Sequence, residues 1–132
     1  MTEISNLIEL LKGMKPELAD GEFVFCTISE IQLAQFKINP LLTFKEKEGI
    51  TIIIEKKTAD KNSLPYRNSW SWIVLTVHSD LLAVGFLARI TNELAKAGIS
   101  VNAVSAYYHD HLFVPTQKAN EAMKLLEKLA QS

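Results

Sequence analysis

The stretch "WSWIVLTVHSDLLAVGFLARITNELAKAGISVNAVSAYY", residues 70–108, decides the fold. It opens on an alternating run. Ile73, Leu75 and Val77 share one face, and Trp72, Val74, Thr76 and His78 share the other, which is the period of a strand buried on one side. The polar corner His78-Ser79-Asp80 closes that run. Over residues 85–97 the period becomes helical, with Leu87, Ile90, Leu94 and Ala97 inward and Arg89, Asn92, Glu93 and Lys96 outward. Gly98 stands where a helix ends in left-handed backbone. "ISVNAVSAYY" then reads as a second strand, "HDH" (residues 109–111) as a tight corner and "LFVP" as a third strand. The last helix, over 117–130, buries Ala119, Ala122, Met123, Leu126 and Leu129. The second half is therefore β-α-β-β-α.

The first half reads more faintly, as a helix, a strand, an ambiguous segment, a hairpin and a short helix. Ile4, Leu7, Ile8 and Leu11 recur at helical spacing, with Thr2 placed to cap the helix and Gly13 to stop it. "EFVFCTI" is apolar on both faces and reads as a buried strand. Residues 29–40 admit two readings: Ser29-x-x-Gln32 is a capping-box pattern, yet "EIQLAQFKIN" suits an extended segment equally. "LLTFKEKEGITIIIE" predicts a hairpin of 41–47 and 50–55, followed by a short helix from Thr58 to Leu64. "PYRNS" (residues 65–69) is the linker candidate. Both halves end in a hairpin and a helix, which points to a degenerate internal repeat and a split β-α-β sheet with helices on one face.

Composition excludes several classes of function. A chain of 132 residues, 48% hydrophobic, suits one ordinary domain or two small ones sharing a core. A formal net charge of −1 and only two arginines, Arg67 and Arg89, leave no basic face for nucleic acid. The single cysteine, Cys26, lies among apolar neighbours and reads as a core residue in a reducing compartment. No apolar run reaches the roughly 20 residues that span a bilayer, and the acidic, amphipathic N-terminus is unlike a signal peptide. A soluble, cytoplasmic protein with no membrane or nucleic-acid partner is expected.

The second half resembles an ACT domain, a small ligand-binding module attached to many amino-acid-regulated enzymes. The segments "MKPEL", "GEFVFCT", "EGITIIIE", "SDLLAVGF" and "YYHDHLFVP" are similar to those of small stand-alone bacterial proteins built from two ACT-like halves. The resemblance implies an α+β, ferredoxin-like (βαββαβ-type) ACT sandwich. It would have a degenerate N-terminal ACT-like half over 1–66 and a C-terminal ACT domain over 67–132. It implies a non-catalytic regulatory protein that binds a small-molecule effector, an amino acid above all, without a cofactor, and that forms a homo-oligomer. In ACT domains the effector sits at an interface between domains, against the loop from the first strand to the first helix. Here that loop gives His78, Ser79, Asp80, Leu81, Leu82, Ala83, Val84 and Gly85 as ligand-binding candidates, with Ser100 and Asn102 on the next strand. The family's Asp/Asn-x-x-Gly spacing is stretched here to Asp80–Gly85, and Val84 stands in place of the usual Pro.

Each candidate also has a plainer role. Asp80 can meet a ligand amine or cap the helix nearby, and His78 can serve an effector or be a satisfied, partly buried histidine. His109 and His111 flank Asp110 in a His-x-His pattern that can seat a metal on a strand. Straddling a hairpin turn, the same residues form a hydrogen-bonded corner, and the family resemblance places that corner beside the pocket. Two rivals to the regulatory reading follow. One is a metal- or acid–base-dependent enzyme using the His-Asp-His corner. The other is a structural or protein-interaction module whose face around Trp72 and Val74 serves only to pair subunits.

Overall fold

The computed structural model describes residues 3–77 and 84–131, with side chains from Leu7 onward. In chain order the elements are helix α1 (Glu3–Gly13), strands β1 (Pro16–Leu18) and β2 (Phe23–Ile28), helix α2 (Glu30–Gln35), strands β3 (Leu42–Lys45) and β4 (Ile50–Glu55), helix α3 (Lys56–Lys61), strand β5 (Trp70–Leu75), helix α4 (Phe86–Lys96), strands β6 (Asn102–Ser105) and β7 (Asp110–Pro115), and helix α5 (Ala119–Gln131), entered through a 3-10 turn at Thr116–Lys118. Two compact units result: Gly21–Trp70, and Met1–Asp20 together with Ser71–Ser132.

In the unit Gly21–Trp70 the strands lie in the order β3-β4-β2. β2 runs antiparallel to β4 over six pairs, from Phe23↔Glu55 to Ile28↔Ile50. Trp70 pairs with Phe23 on the other edge of β2, and its ring meets Phe25 edge-on at 5.8 Å. Val24, Cys26, Ile28, Ile50, Ile52, Ile54, Ala59 and Leu64 form the core. Burying each large aliphatic side chain there stabilises the unit by about 1.5–3 kcal/mol. Burial also pushes the Cys26 thiol pKa up, which suits a core residue. The ambiguity over residues 29–40 is resolved by a capping box. Ser29 Oγ accepts from Gln32 N at 3.1 Å, Gln32 Oε1 accepts from Ser29 N at 2.9 Å, and α2 starts there. The short helix expected from Thr58 begins two residues earlier, at Lys56. The β3–β4 turn closes with Glu46 N donating to Gly49 O at 3.0 Å. Gly49 is required there because a Cβ would come within 2.7 Å of Thr27 Oγ1.

In the other unit the strand order is β1-β5-β7-β6. Ile73 and Leu75 of β5 and Leu112 and Val114 of β7 meet Leu11, Met14, Phe86, Ile90, Leu94, Ala122, Leu126 and Leu129 in one core. Helices α1, α4 and α5 thus share one face of the sheet. Strand β1 pairs antiparallel with β5 through Pro16↔Leu75, Glu17↔Val74 and Leu18↔Ile73. An edge position is where Pro16 can enter a sheet, since it has no N–H to donate.

Both units therefore contain the same β-α-β-β-α sequence: β2-α2-β3-β4-α3 in one and β5-α4-β6-β7-α5 in the other. Their hairpins have the same register. Leu42↔Ile53 through Lys45↔Ile50 becomes Asn102↔Phe113 through Ser105↔Asp110, sixty positions on. Each unit thus has the ferredoxin-like arrangement of a mostly antiparallel sheet with its helices, and the two form an internal repeat.

Candidate functional site

The sequence-predicted site centres on the passage from β5 to α4. His78, Ser79, Asp80, Leu81, Leu82 and Ala83 lie outside the described residues. On the leading side Val77 N donates to Leu75 O at 2.9 Å, and Thr76 N donates to Lys15 O at 3.0 Å. On the far side Val84 is 67% exposed, and Gly85 holds the N-cap position of α4 with φ 89°. Gly85 brings no side-chain cap, and the first turn of α4 carries no acidic residue. Gly85 O accepts from Arg89 N at 2.9 Å. Among the described residues, no side chain caps the start of α4, so its first N–H groups and partial positive charge suit a carboxylate.

His109 is brought to this corner. Ser71 Oγ lies 3.4 Å from Thr116 Oγ1, and His109 Nδ1 lies 3.4 Å from Val77 O, so β5 and the β6–β7 hairpin run antiparallel with the hairpin's turn at the end of β5. The turn itself is a correction. Ala106 N donates to His109 O at 3.0 Å, so Tyr107 and Tyr108 occupy its centre and "HDH" does not straddle it. Asp110 and His111 are already the first residues of β7. Asp110 is buried and accepts from Ser105 Oγ at 2.6 Å.

His111 lies further along, on the face away from the helices, with Trp72. Trp72 Nε1 donates to His111 Nδ1 at 3.0 Å, and the Trp72 ring stacks on Phe113 with centroids 6.4 Å apart. An Nδ1 that accepts leaves the neutral ring with its proton on Nε2. Burial lowers the His111 pKa, the nearby His109 adds to the lowering, and the Asp110 carboxylate opposes it. Among the described residues no three His, Cys, Asp or Glu side chains are grouped to hold a metal ion.

Ser100 and Asn102 are both exposed and lie apart from His109. Asn102 pairs with Phe113, four residues beyond His109, and so sits roughly 13 Å along the hairpin at strand rise. Sequence reasoning missed the contribution of the N-terminal segment to this corner. A Cβ on Gly85 would lie 3.9 Å from Leu7 Cδ2, and one on Gly13 would lie 3.7 Å from Val77 Cγ2. Helical periodicity marks Leu7 as apolar, and nothing in the local pattern tells which distant residue it meets.

The chain belongs to the ACT domain family: one ACT domain match covers residues 2–70 and a second covers 70–128. It is similar to a Vibrio cholerae protein of unknown function, described as a possible transport protein. The two share 40% identity over 98% of this chain and 99% of that one, with a TM-score of 0.88. The ligand-free regulatory subunit of aspartate kinase from Thermus thermophilus has a TM-score of 0.65 at 10% identity, over 87% of this chain and 97% of that one. E. coli aspartokinase III, solved with aspartate and ADP, gives 0.65 at 11% identity, over 89% of this chain and 33% of that one. At these identities the kinship to aspartokinases is one of fold. No match is found among curated proteins. Membership of the family supports a regulatory, ligand-binding role. No helix among the described residues is long and apolar enough to cross a membrane.

Proposed function

We propose that the chain is a non-catalytic, cytoplasmic regulatory protein whose effector is an amino acid, bound where β5 passes into α4. The observation that carries this reading is the start of α4. Its cap is a left-handed glycine, no side chain closes it among the described residues, and its first turn carries no acidic residue. The effector carboxylate would meet those N–H groups, and Asp80 its ammonium group. His78, Ser79, Leu81, Leu82, Ala83 and Val84 would complete the walls, with His109 at the edge. Ser100 and Asn102, on exposed edge strand β6 and the residues before it, would serve such a site from a second copy in a homo-oligomer. The division of the sequence into halves 1–66 and 67–132 belongs to the same proposal.

The test is a thermal-shift screen with each of the twenty L-amino acids. A binding amino acid at ~100 times its dissociation constant adds about 2.7 kcal/mol of stability, and the melting temperature rises with it. A screen in which none of the twenty shifts the transition refutes the amino-acid reading and favours the structural module.

A further inference from the structure

We propose that the outer edge of β6 pairs antiparallel with the same edge of a second copy, and that this edge alone serves, so that assembly closes at a dimer. Among the described residues β6, β3 and β1 each have a neighbouring strand on one side only. An antiparallel ladder alternates residues that bond the neighbouring strand with residues whose N–H and C=O point the other way. Ala106 N donates to His109 O, so Val104↔His111 and Asn102↔Phe113 are the bonded pairs, and Ala103 and Ser105 point outward. On β3, Glu46 N donates to Gly49 O, and the same count turns Thr43 and Lys45 outward. On β1, Thr76 N donates to Lys15 O and Ala19 N to Trp72 O, which turns Pro16 and Leu18 outward.

Two of these edges are blocked. Pro16 has no N–H to offer a further strand. Lys45 puts a charge on β3, held by Glu30 at 2.8 Å, and Glu46, Lys47 and Glu48 follow it. Pairing there would take these groups out of water. β6 has neither device. From Gly98 to Tyr108 the chain carries no charged residue, in a sequence that is 22% charged, although Asn102, Ala103, Ser105 and Ala106 are exposed. The hairpin equivalent of Lys45 is Ser105.

An uncharged edge suits its own copy, because a two-fold axis brings like residues together and here nothing repels. A bonded pair needs two outward residues. The register that uses both of those on β6 sets Ala103 against Ser105 of the second copy, with Val104 on the axis. Val101 then faces Tyr107 of the second copy, and Ser100 faces Tyr108. Those tyrosines are 78% and 64% exposed, and pairing removes part of their surface from water. One competent edge per copy leaves none over, so the assembly is closed. The homo-oligomer belongs to the function proposed above; the edge that forms it, and its closure, rest on strand geometry alone.

The test uses the full chain. Sedimentation should show a dimer that does not grow with concentration. Ala103→Pro removes an outward donor and leaves the ladder to β7 intact. It should weaken the dimer roughly thirtyfold, since two backbone hydrogen bonds are lost across the axis. Thr43→Pro, the same change at the equivalent place on β3, should leave the dimer as it is. Ala103→Lys keeps every backbone donor and gives β6 a charge like that of β3; it should dissociate the dimer with the far-UV circular dichroism unchanged. Hydrogen exchange locates the contact: the Ser105 amide should be protected in the dimer and exchange fast on dilution to monomer. A monomeric wild type overturns the proposal, as does a dimer that Ala103→Lys leaves intact or that the two proline variants weaken alike. A dimer whose Ser105 amide exchanges as an exposed one does overturns the edge and leaves the homo-oligomer standing. Species larger than a dimer overturn the closure. None of these outcomes depends on whether an amino acid binds, so the screen above fails or succeeds separately.

Discussion

The two βαββα repeats differ most where their hairpins agree best. β4 and β7 have the same burial pattern up to their last residue, and Ala59 and Ala119, sixty positions apart, are both buried in the helix that follows. Even the turns close alike, Glu46 N to Gly49 O and Ala106 N to His109 O, each at 3.0 Å. The first strand and helix then diverge. In the first repeat one residue, Ser29, joins β2 to α2, and its capping box satisfies the helix start while Lys45 pairs with Glu30 at 2.8 Å. In the second, residues 76–85 separate β5 from α4, and the cap is a glycine without a side chain. Next to β2 there is no room for a Cβ at Gly49, whereas beside the end of β5 the same turn position holds the His109 ring. The first repeat joins strand to helix through a single residue, whereas the second has a longer passage and longer helices, 11 and 13 residues in α4 and α5 against 6 in each of α2 and α3.

Energetics should follow this division. α4 buries Phe86, Ile90 and Leu94, while α2 buries no residue. Leu94→Ala removes a fully buried side chain and should cost about 2–5 kcal/mol in urea unfolding. Ile31→Ala, at 69% exposure on α2, should stay within about 0.5 kcal/mol. Similar losses at the two positions would show that the exposed helix is covered in solution, as by a second copy.

The helix starts give the next largest effect. Gly85→Ala places a side chain at φ 89°, which costs about 1–2 kcal/mol even though the nearest atom, at 3.9 Å, is no obstacle. Ser29→Ala removes the cap of α2 and should cost ~1 kcal/mol, whereas Ser29→Gly should lose only a few tenths. Denaturant titration of the three variants checks both. A Gly85→Ala variant as stable as wild type would mean that the corner readjusts to suit any residue, which breaks the contrast with the fixed capping box.

Much of this was legible in the sequence for physical reasons. The α4 stripe, the α5 stripe and the β3–β4 hairpin come from periodicity, and the Ser29–Gln32 box is a local hydrogen-bond pattern. Three features were not. β1 is three residues long and contains Pro16, so it has no strand signature of its own; it exists because β5 has a free edge. The β6–β7 turn is centred on two tyrosines, where Asp110 was the better turn-former by type; register with β7 overrode that preference. The hydrogen bonds from Thr76 to Lys15 O join positions 61 residues apart, which no window of sequence contains.

The smallest expected effect separates the hairpins themselves, at Thr51 and His111, equivalent positions on β4 and β7. Thr51 Oγ1 donates to Glu46 Oε1 at 2.5 Å and does not titrate. His111 does. Burial lowers its pKa, with His109 adding to the shift and Asp110 opposing it. The bond from Trp72 acts in the same direction as burial, because Nδ1 accepts only while unprotonated. A folded-state pKa below the unfolded value means that the unfolded chain takes up the proton first as pH falls. The contribution of His111 is therefore complete above the ordinary histidine value of about 6.5, and is lost as pH falls through the lowered folded value. His111→Thr, which gives the second hairpin the residue of the first, should flatten this part of the stability profile, around a plateau lowered by the loss of the Trp72 bond. The Trp72 emission of the native wild type should change over the same acid range, since protonation ends the indole's hydrogen bond, and the variant's should not. If the two proteins lose stability in parallel as pH falls, the titration belongs to groups other than His111, and the hairpins are equivalent in their response to acid.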